Sequence, residues 1–310
     1  MSRSPPTSGE GATRGSAPEV FSAFLQLGLT SFGGPIAHLG YFHREFVERR
    51  RWIDDAQYAQ LVALCQFLPG PASSQFGFAL GLLRAGWLGA IAAFGAFTLP
   101  SAILLVVFAA VSDRLSGPFG QAGIHGLKLV AVAVVADGVR RMARQLTPDI
   151  PRVLMAVVAA ACVIAVSSAW VQLAMIVAGA AIGQWACSAV AARESAPLAL
   201  SYGLRTGSVL LVVFAILLAL ALLPIHGERS VLAGAAAGFY QAGALVFGGG
   251  HVVVPLLHET VVQPGWIDQQ EFIAGYGAAQ AIPGPMFSVA AFLGAQLGDT
   301  PPLLGAAICL

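Results

Sequence analysis

This sequence has very little charge. Only 10% of its 310 residues are Asp, Glu, Lys or Arg, and Lys128 is the sole lysine. Soluble domains carry about 25%. With 57% hydrophobic residues and a mean hydropathy of +0.78, the chain has more apolar surface than one core can hide, because the buried fraction levels off with length. An ordinary soluble globule is excluded. The formal net charge of +1 leaves no basic footprint for nucleic acid. Cys65, Cys162, Cys187 and Cys309 are scattered in apolar segments without metal-ligand or redox spacing, so they read as small buried hydrophobes. No nucleophile–base pair and no metal cluster occurs at a recognisable spacing, which speaks against an enzyme, a bound metal or a cofactor. Residues 1–18 are rich in Ser, Pro, Gly and Thr without an apolar centre. They read as a disordered tail, not a cleaved signal peptide.

What the chain does have is long apolar runs. "GWLGAIAAFGAFTLPSAILLVVFAAV" (86–111) holds no charge and exceeds the roughly 20 residues that a spanning helix needs. Residues 153–170, 171–192 and 207–225 are equally clean, and 20–40, 120–138 and 231–256 are apolar but rich in Gly or interrupted by polar residues. The expected fold class is all-α, a polytopic helical membrane protein. The tracts are too long and uniform for the alternating strands of an outer-membrane barrel.

The chain also repeats itself. A shift of 214 residues lays Glu45 on Glu259, Val47 on Val261, Trp52-Ile53-Asp54 on Trp266-Ile267-Asp268 and Gln66 on Gln280. It also superposes Pro69-Gly70-Pro71 on Pro283-Gly284-Pro285, Ser74 on Ser288 and Phe78 on Phe292. Upstream, with one residue of slippage, "FLQLGLTSFGG" (24–34) matches "FYQAGALVFGG" (239–249). Two blocks in the same order predict a tandem duplication. A first repeat covers 19–192, a linker with a spanning helix at 207–225 covers 193–234, and a second repeat covers 235–310 without a counterpart of 95–192. Truncation of the second repeat is the expectation. The loop after the first FGG carries Arg44, Arg49, Arg50 and Arg51, whereas its counterpart carries no Lys or Arg. Because Lys/Arg-rich loops stay cytoplasmic, the two repeats are expected to be inverted, as in secondary transporters. Residues 56–84 either cross once or fold back as a hairpin.

Two helix-breaking signals recur, and they supply the candidate site. Proline inside a helix removes a donor, and glycine between prolines permits a sharp turn. Each PGP therefore ends one helix and starts another, leaving N–H groups near Ser73 and Ser74, or Ser288, free for an anion. Such a break survives in a membrane only where protein or a water-filled cavity satisfies it. A tight turn in a hairpin is the simpler reading. Phe32-Gly33-Gly34-Pro35 and Gly248-Gly249-Gly250 mark further unwinding, next to His38 and His251, which are candidates for proton coupling but do not align and also fit as packing histidines. Lys128 lies in an apolar segment and is a candidate by that fact, with snorkelling as the alternative. Glu45, Glu259, Asp54 and Asp268 recur in both copies as candidates for proton coupling, although Asp54 and Asp268 also suit helix N-caps.

These paired features, FGGP then a charged loop, WID and PGP, followed by FGGG, WID and PGP, resemble the chromate ion transporter family over nearly the whole chain outside the tail. The resemblance implies a multi-pass inner (plasma) membrane protein that exports chromate, driven by the proton motive force. Sulfate, a tetrahedral dianion of similar size, is not separated from chromate. The implied partners are a small inorganic oxyanion, the lipid bilayer and, as a homo-oligomer, further copies of the chain. The substrate is expected between the PGP breaks, contacted by Phe32–Pro35, Gln66, Pro69–Pro71, Ser73, Ser74, Lys128, Gly248–Gly250, Gln280, Pro283–Pro285 and Ser288. A passive anion channel and a non-transporting membrane subunit are the alternatives.

Overall fold

A computed structural model describes residues 15–112, 114, 117–147, 149–166, 169–186, 202–223, 231–246, 253–298 and 300–310. Among these residues the chain is helical and contains no strand. Gly248, Gly249, Gly250 and His251, like residues 1–14 and parts of the linker, lie outside them.

Residues 15–112 form hairpins of helices. Helix α1 (Ala17–Thr30) opens with a capping box in which Ser16 and Glu19 satisfy each other's backbone N–H, and with Pro18 in its first turn. It ends before Gly33 and Gly34, whose φ angles of 93° and 75° turn the chain into α2 (Gly34–His43). That helix runs on through a π-helical turn, Arg44–Arg49. The rings of Phe24 and Phe46 lie 4.9 Å apart, so the two helices fold back on each other. Segment 20–40 is therefore not one span.

Helix α3 (Asp55–Phe67) again starts on a capping box, Asp54 with Gln57. After the first PGP comes α4 (Ala72–Ser112), interrupted at Ala85 and Gly86 by non-helical backbone. A collinear path would separate Tyr58 from Phe76 by about 27 Å at 1.5 Å per residue, yet their rings are 5.3 Å apart. Residues 56–84 thus fold back. Each arm of this hairpin is 13 residues, about 20 Å long, short of the ~30 Å hydrocarbon core. At Gly86 the chain reverses once more. Gly81 and Gly89 meet so closely that a Cβ on Gly81 would fall 2.4 Å from the Gly89 carbonyl oxygen. The remaining arm, 87–112, is long enough to cross.

Helices α5 (Pro118–Leu146), α6 (Ile150–Ala165), α7 (Ala169–Ala186) and α8 (Leu204–Leu222) follow. None of the α6 side chains is buried, and α8 buries only Ala221. Helices that are apolar all round and uncovered by protein belong against lipid. Among the described residues two helices, α4 and α8, are long and apolar enough to cross a membrane, whereas α6 is a shorter apolar helix.

The opening plan then recurs. Helix α9 (Val231–Leu245), α10 (Val253–Leu257) with a π-helical turn at His258–Val262, α11 (Gln269–Ala281) capped by Asp268, a 3-10 turn (Met286–Ser288) and α12 (Val289–Ala295) follow in order. A Cβ on Gly275 would strike the Phe292 ring, so α11 and α12 also fold back. Helix α13 (Pro302–Cys309) packs on α12 through Gly294 and Gly305 as arm 87–112 packs through Gly81 and Gly89. One apolar cluster gathers Phe24, Phe42, Phe46, Phe76 and Phe97, and a second gathers Phe239, Phe272, Phe292 and Leu293. Arm 87–112 serves both, giving Phe97 to the first and Leu105 to the second.

Candidate functional site

The hairpin tips meet. At the first PGP, Gly70 adopts φ 126°, and at the second, Gly284 adopts φ 108°, a region that L side chains avoid. The Gly70 N–H donates to the Val246 carbonyl at 2.7 Å, and the Gly284 N–H donates to the Ser31 carbonyl at 2.9 Å. Val246 and Ser31 each immediately precede Phe-Gly-Gly. Each PGP tip is thus tied by a main-chain hydrogen bond to the residue that precedes an FGG motif far away in the sequence.

Between the tips lies a cavity of about 130 Å³, bordered by Pro71, Ser74 and Thr98 on one side and by Pro285, Phe287 and Val253 on the other. After the first tip the earliest intrahelical bond runs from Gln75 N–H to the Pro71 carbonyl, so the N–H groups of Ala72, Ser73 and Ser74 precede the helical ladder. Ser73 and Ser74 are buried. The second tip is built differently. Ser288 N–H already bonds to the Pro285 carbonyl in a tighter 3-10 turn, and the Ser288 hydroxyl donates to the same carbonyl at 2.6 Å. With Met286 and Phe287 in place of Ala72 and Ser73, this side presents mostly apolar surface. An anion in the cavity meets its donors on one wall.

A family model described as chromate transporter matches residues 18–185 and 233–310. The chain belongs to the chromate transporter family. It is 30% identical over 305 residues to a probable chromate transport protein of Synechococcus elongatus, covering 93% of this chain and 71% of that one. It is 28% identical over 288 residues to the chromate transport protein of Pseudomonas aeruginosa, covering 91% of this chain and 67% of that one. An uncharacterized transporter of Bacillus subtilis, YwrB, is 31% identical over 117 residues, 38% of this chain and 59% of its own length. No solved structure gives a significant match. The family consists of transporters, not enzymes.

In this family member the remaining sequence-derived candidates separate into groups. Gln280 is buried, and its amide donates to the Tyr276 hydroxyl and to the Met286 sulfur, both at 2.8 Å. It braces the second tip from behind, close to Gly34. Gln66, its sequence counterpart, is exposed on α3. Phe32 is exposed and Gly34 buried. Lys128 donates to Gln270 at 2.6 Å, at the start of α11 and so at the opposite end of that helix from the PGP tip. The structure does not bring Lys128 to the cavity.

Asp54 and Asp268 both cap helices, accepting from Gln57 N–H at 2.8 Å and Gln270 N–H at 2.7 Å. Glu45 is buried and ion-paired with Arg50 at 2.5 Å and Arg49 at 3.0 Å. Glu259 has no such pair among the described residues. It borders a separate polar pocket with Gln241, Thr260 and Gln263. Arg84 and Arg50 both lie over the Trp52 ring, and Arg84 pairs with Glu19, so these charges gather away from the tips. His38, by contrast, is fully buried.

Thr98 and Ser31 were not among the sequence candidates. Thr98 carried a signal, a hydroxyl two residues before Pro100 in an otherwise apolar run. Ser31 carried only its place before FGG, and its carbonyl, which any residue supplies, is what holds Gly284.

Proposed function

We propose that this protein is a multi-pass plasma-membrane secondary transporter that exports chromate, driven by the proton motive force, and that the anion binds in the cavity between the two PGP tips. The observation that carries this reading is that one cavity touches Pro71 and Ser74 after the first tip and Pro285 and Phe287 after the second. A water needs about 10–15 Å³ on the same measure, so about 130 Å³ has room for a five-atom oxyanion. The N–H groups of residues 72–74 with the Ser74 and Thr98 hydroxyls would replace its hydration shell.

Duplication and inversion belong to the same proposal. They are supported by the recurrence of π-helical turn, Asp cap, helix, PGP tip and hairpin, and by the Arg excess in one of the two equivalent loops. Hairpins with arms too short to cross would enter the bilayer and return, their tips near the midplane. Rocking of one half against the other would then expose the cavity to each side in turn.

Transport into inverted membrane vesicles containing this chain tests the reading. Chromate accumulation should depend on an imposed proton gradient, and Ser74→Ala with Thr98→Ala should abolish it while the protein stays in the membrane. Undiminished accumulation in the double variant refutes the site. Flux that ignores the gradient makes the protein a channel, and vesicles that move sulfate equally well widen the substrate to tetrahedral dianions.

A further inference from the structure

Chromate is a dianion, yet no charged side chain is among the described residues bordering the cavity. At and behind its wall, however, three polar side chains lack side-chain hydrogen bonds: the hydroxyl of cavity-lining Thr98, and behind it the Ser31 hydroxyl and both ring nitrogens of His38. His38 and Ser31 are completely buried. Buried polar groups are almost always hydrogen-bonded, so three orphans in one place require an explanation. The His38 ring packs edge-on against Phe97, 5.4 Å between centroids, and Phe97 is the neighbour of cavity-lining Thr98. The ring also faces the Ser31 carbonyl, the acceptor of the Gly284 N–H. His38 therefore stands one residue behind the cavity, against the bond that ties the halves together.

Its surroundings are otherwise uncharged. Helix α1 brings Ser31, arm 87–112 brings Phe97 and Thr98, and Phe42 lies 6.3 Å away on its own helix. From α3 come Tyr58, whose hydroxyl donates to the Leu39 carbonyl at 2.6 Å, and Cys65, buried in the same apolar cluster as Phe42 and Phe97. His43, on the same helix, is bonded to Glu48 and Asp55. No charged group among the described residues acts on the His38 ring.

A dianion taken out of water requires a compensating charge nearby. Burial keeps the His38 ring neutral in the empty protein, lowering its pKa to about 4, and a dianion beside it favours the charged imidazolium. Resting on the reading of this cavity as the chromate site, we propose that His38 takes up one proton from solvent as the anion enters and releases it as the anion leaves. The occupied carrier then moves one net negative charge, not two, so that export draws on the membrane-potential part of the proton motive force while the pH gradient opposes it. Imidazolium formation also strengthens the attraction of the ring N–H for the Ser31 carbonyl, so that loading bears on the Gly284–Ser31 contact.

Calorimetric titration of the purified full chain with chromate tests this, at mildly alkaline pH where chromate is a dianion, in buffers of different ionisation enthalpy. The wild type should take up close to one proton per chromate, and above the His38 titration its affinity should fall about tenfold per pH unit, as linkage of a single proton requires. His38→Gln should bind chromate more weakly with no proton uptake and no pH dependence, and His38→Asn serves as the second variant. Proton uptake that persists in either folded variant overturns the proposal, and so does wild-type binding without uptake. Should neither variant fold, the wild-type proton count decides. A wild type that binds no chromate overturns the cavity reading itself, and the role of His38 with it.

Discussion

Replacing Gly284 by alanine should harm the protein more than the same change at Gly70, although both are the centre of a PGP tip with a positive φ. Backbone strain of about 1–3 kcal/mol applies to each and cancels in the comparison. What differs is the space. A Cβ on Gly70 would lie 2.4 Å from the amide nitrogen of Gln75, the flexible end of a side chain. Swinging it aside costs the Gln75 bond to the Pro69 carbonyl, about 1 kcal/mol. A Cβ on Gly284 would lie 2.7 Å from the Ser101 hydroxyl and 2.8 Å from the Ser101 Cβ. Ser101 is fully buried with its hydroxyl committed to the Thr98 carbonyl, so the tip itself must move, at about 1–3 kcal/mol for overpacking. That movement also stretches the Gly284–Ser31 tie.

Thermal unfolding in detergent at matched scan rates measures the difference, with chromate transport in parallel. Gly284→Ala should melt several degrees below Gly70→Ala. Ser101→Gly removes both offending atoms, so adding it to Gly284→Ala should recover part of the loss, with a coupling of about 1 kcal/mol or more. Strictly additive effects, or a milder Gly284→Ala, would show that the tip does not pack against Ser101 and would remove the reason for placing the halves in contact there.

Ser74→Ala should weaken chromate binding about tenfold or more, while Ser288→Ala should leave it within about twofold, because the Ser288 hydroxyl is already donated to Pro285; competition with unlabelled chromate reads both. Glu45→Gln should cost about 1–3 kcal/mol by stranding Arg50, whereas Glu259→Gln should change melting by less than about 0.5 kcal/mol. The hydrogen bond from His43 to Asp55 holds the His43 imidazole above its ordinary value of 6.5. Its contribution to stability is therefore full below that value and is lost as pH rises through the raised one. Asp55→Asn should flatten this part of the melting profile. Lys128→Met should leave chromate transport unchanged, because its ammonium is bound to Gln270 away from the cavity.

The helix ends at both PGP triplets could be read from the chain because proline and glycine act locally, and the same holds for Asp54 and Asp268, whose position after Trp-Ile suited an N-cap. Whether 56–84 crossed or folded back was not legible. Both paths share the same hydrophobic pattern, and the choice is made by distant contacts such as Phe76 against Tyr58 and Phe42. Lys128 looked like an intramembrane charge because its neighbours are apolar, but helix α5 sets it beside Gln270, 142 residues later. The unequal tips were half legible. Met286 and Phe287 announced a less polar second tip, yet nothing in the sequence says that the one remaining hydroxyl, on Ser288, turns back to its own backbone.

The two ties that join the halves, Gly70 to Val246 and Gly284 to Ser31, use only main-chain N–H and carbonyl groups. Such bonds place almost no demand on side chains beyond the glycine that permits the turn. The side chains around the tips are therefore free to differ while the crossing of the hairpins is kept, and they do differ, serines on one tip and Met-Phe on the other. An anion drawn to the donors of residues 72–74 stays with the first tip, and the second meets it with apolar surface. Like backbone ties with unlike side chains suit the alternating access proposed above. In that proposal the halves would exchange positions through equivalent contacts, while only one of them would hold the cargo.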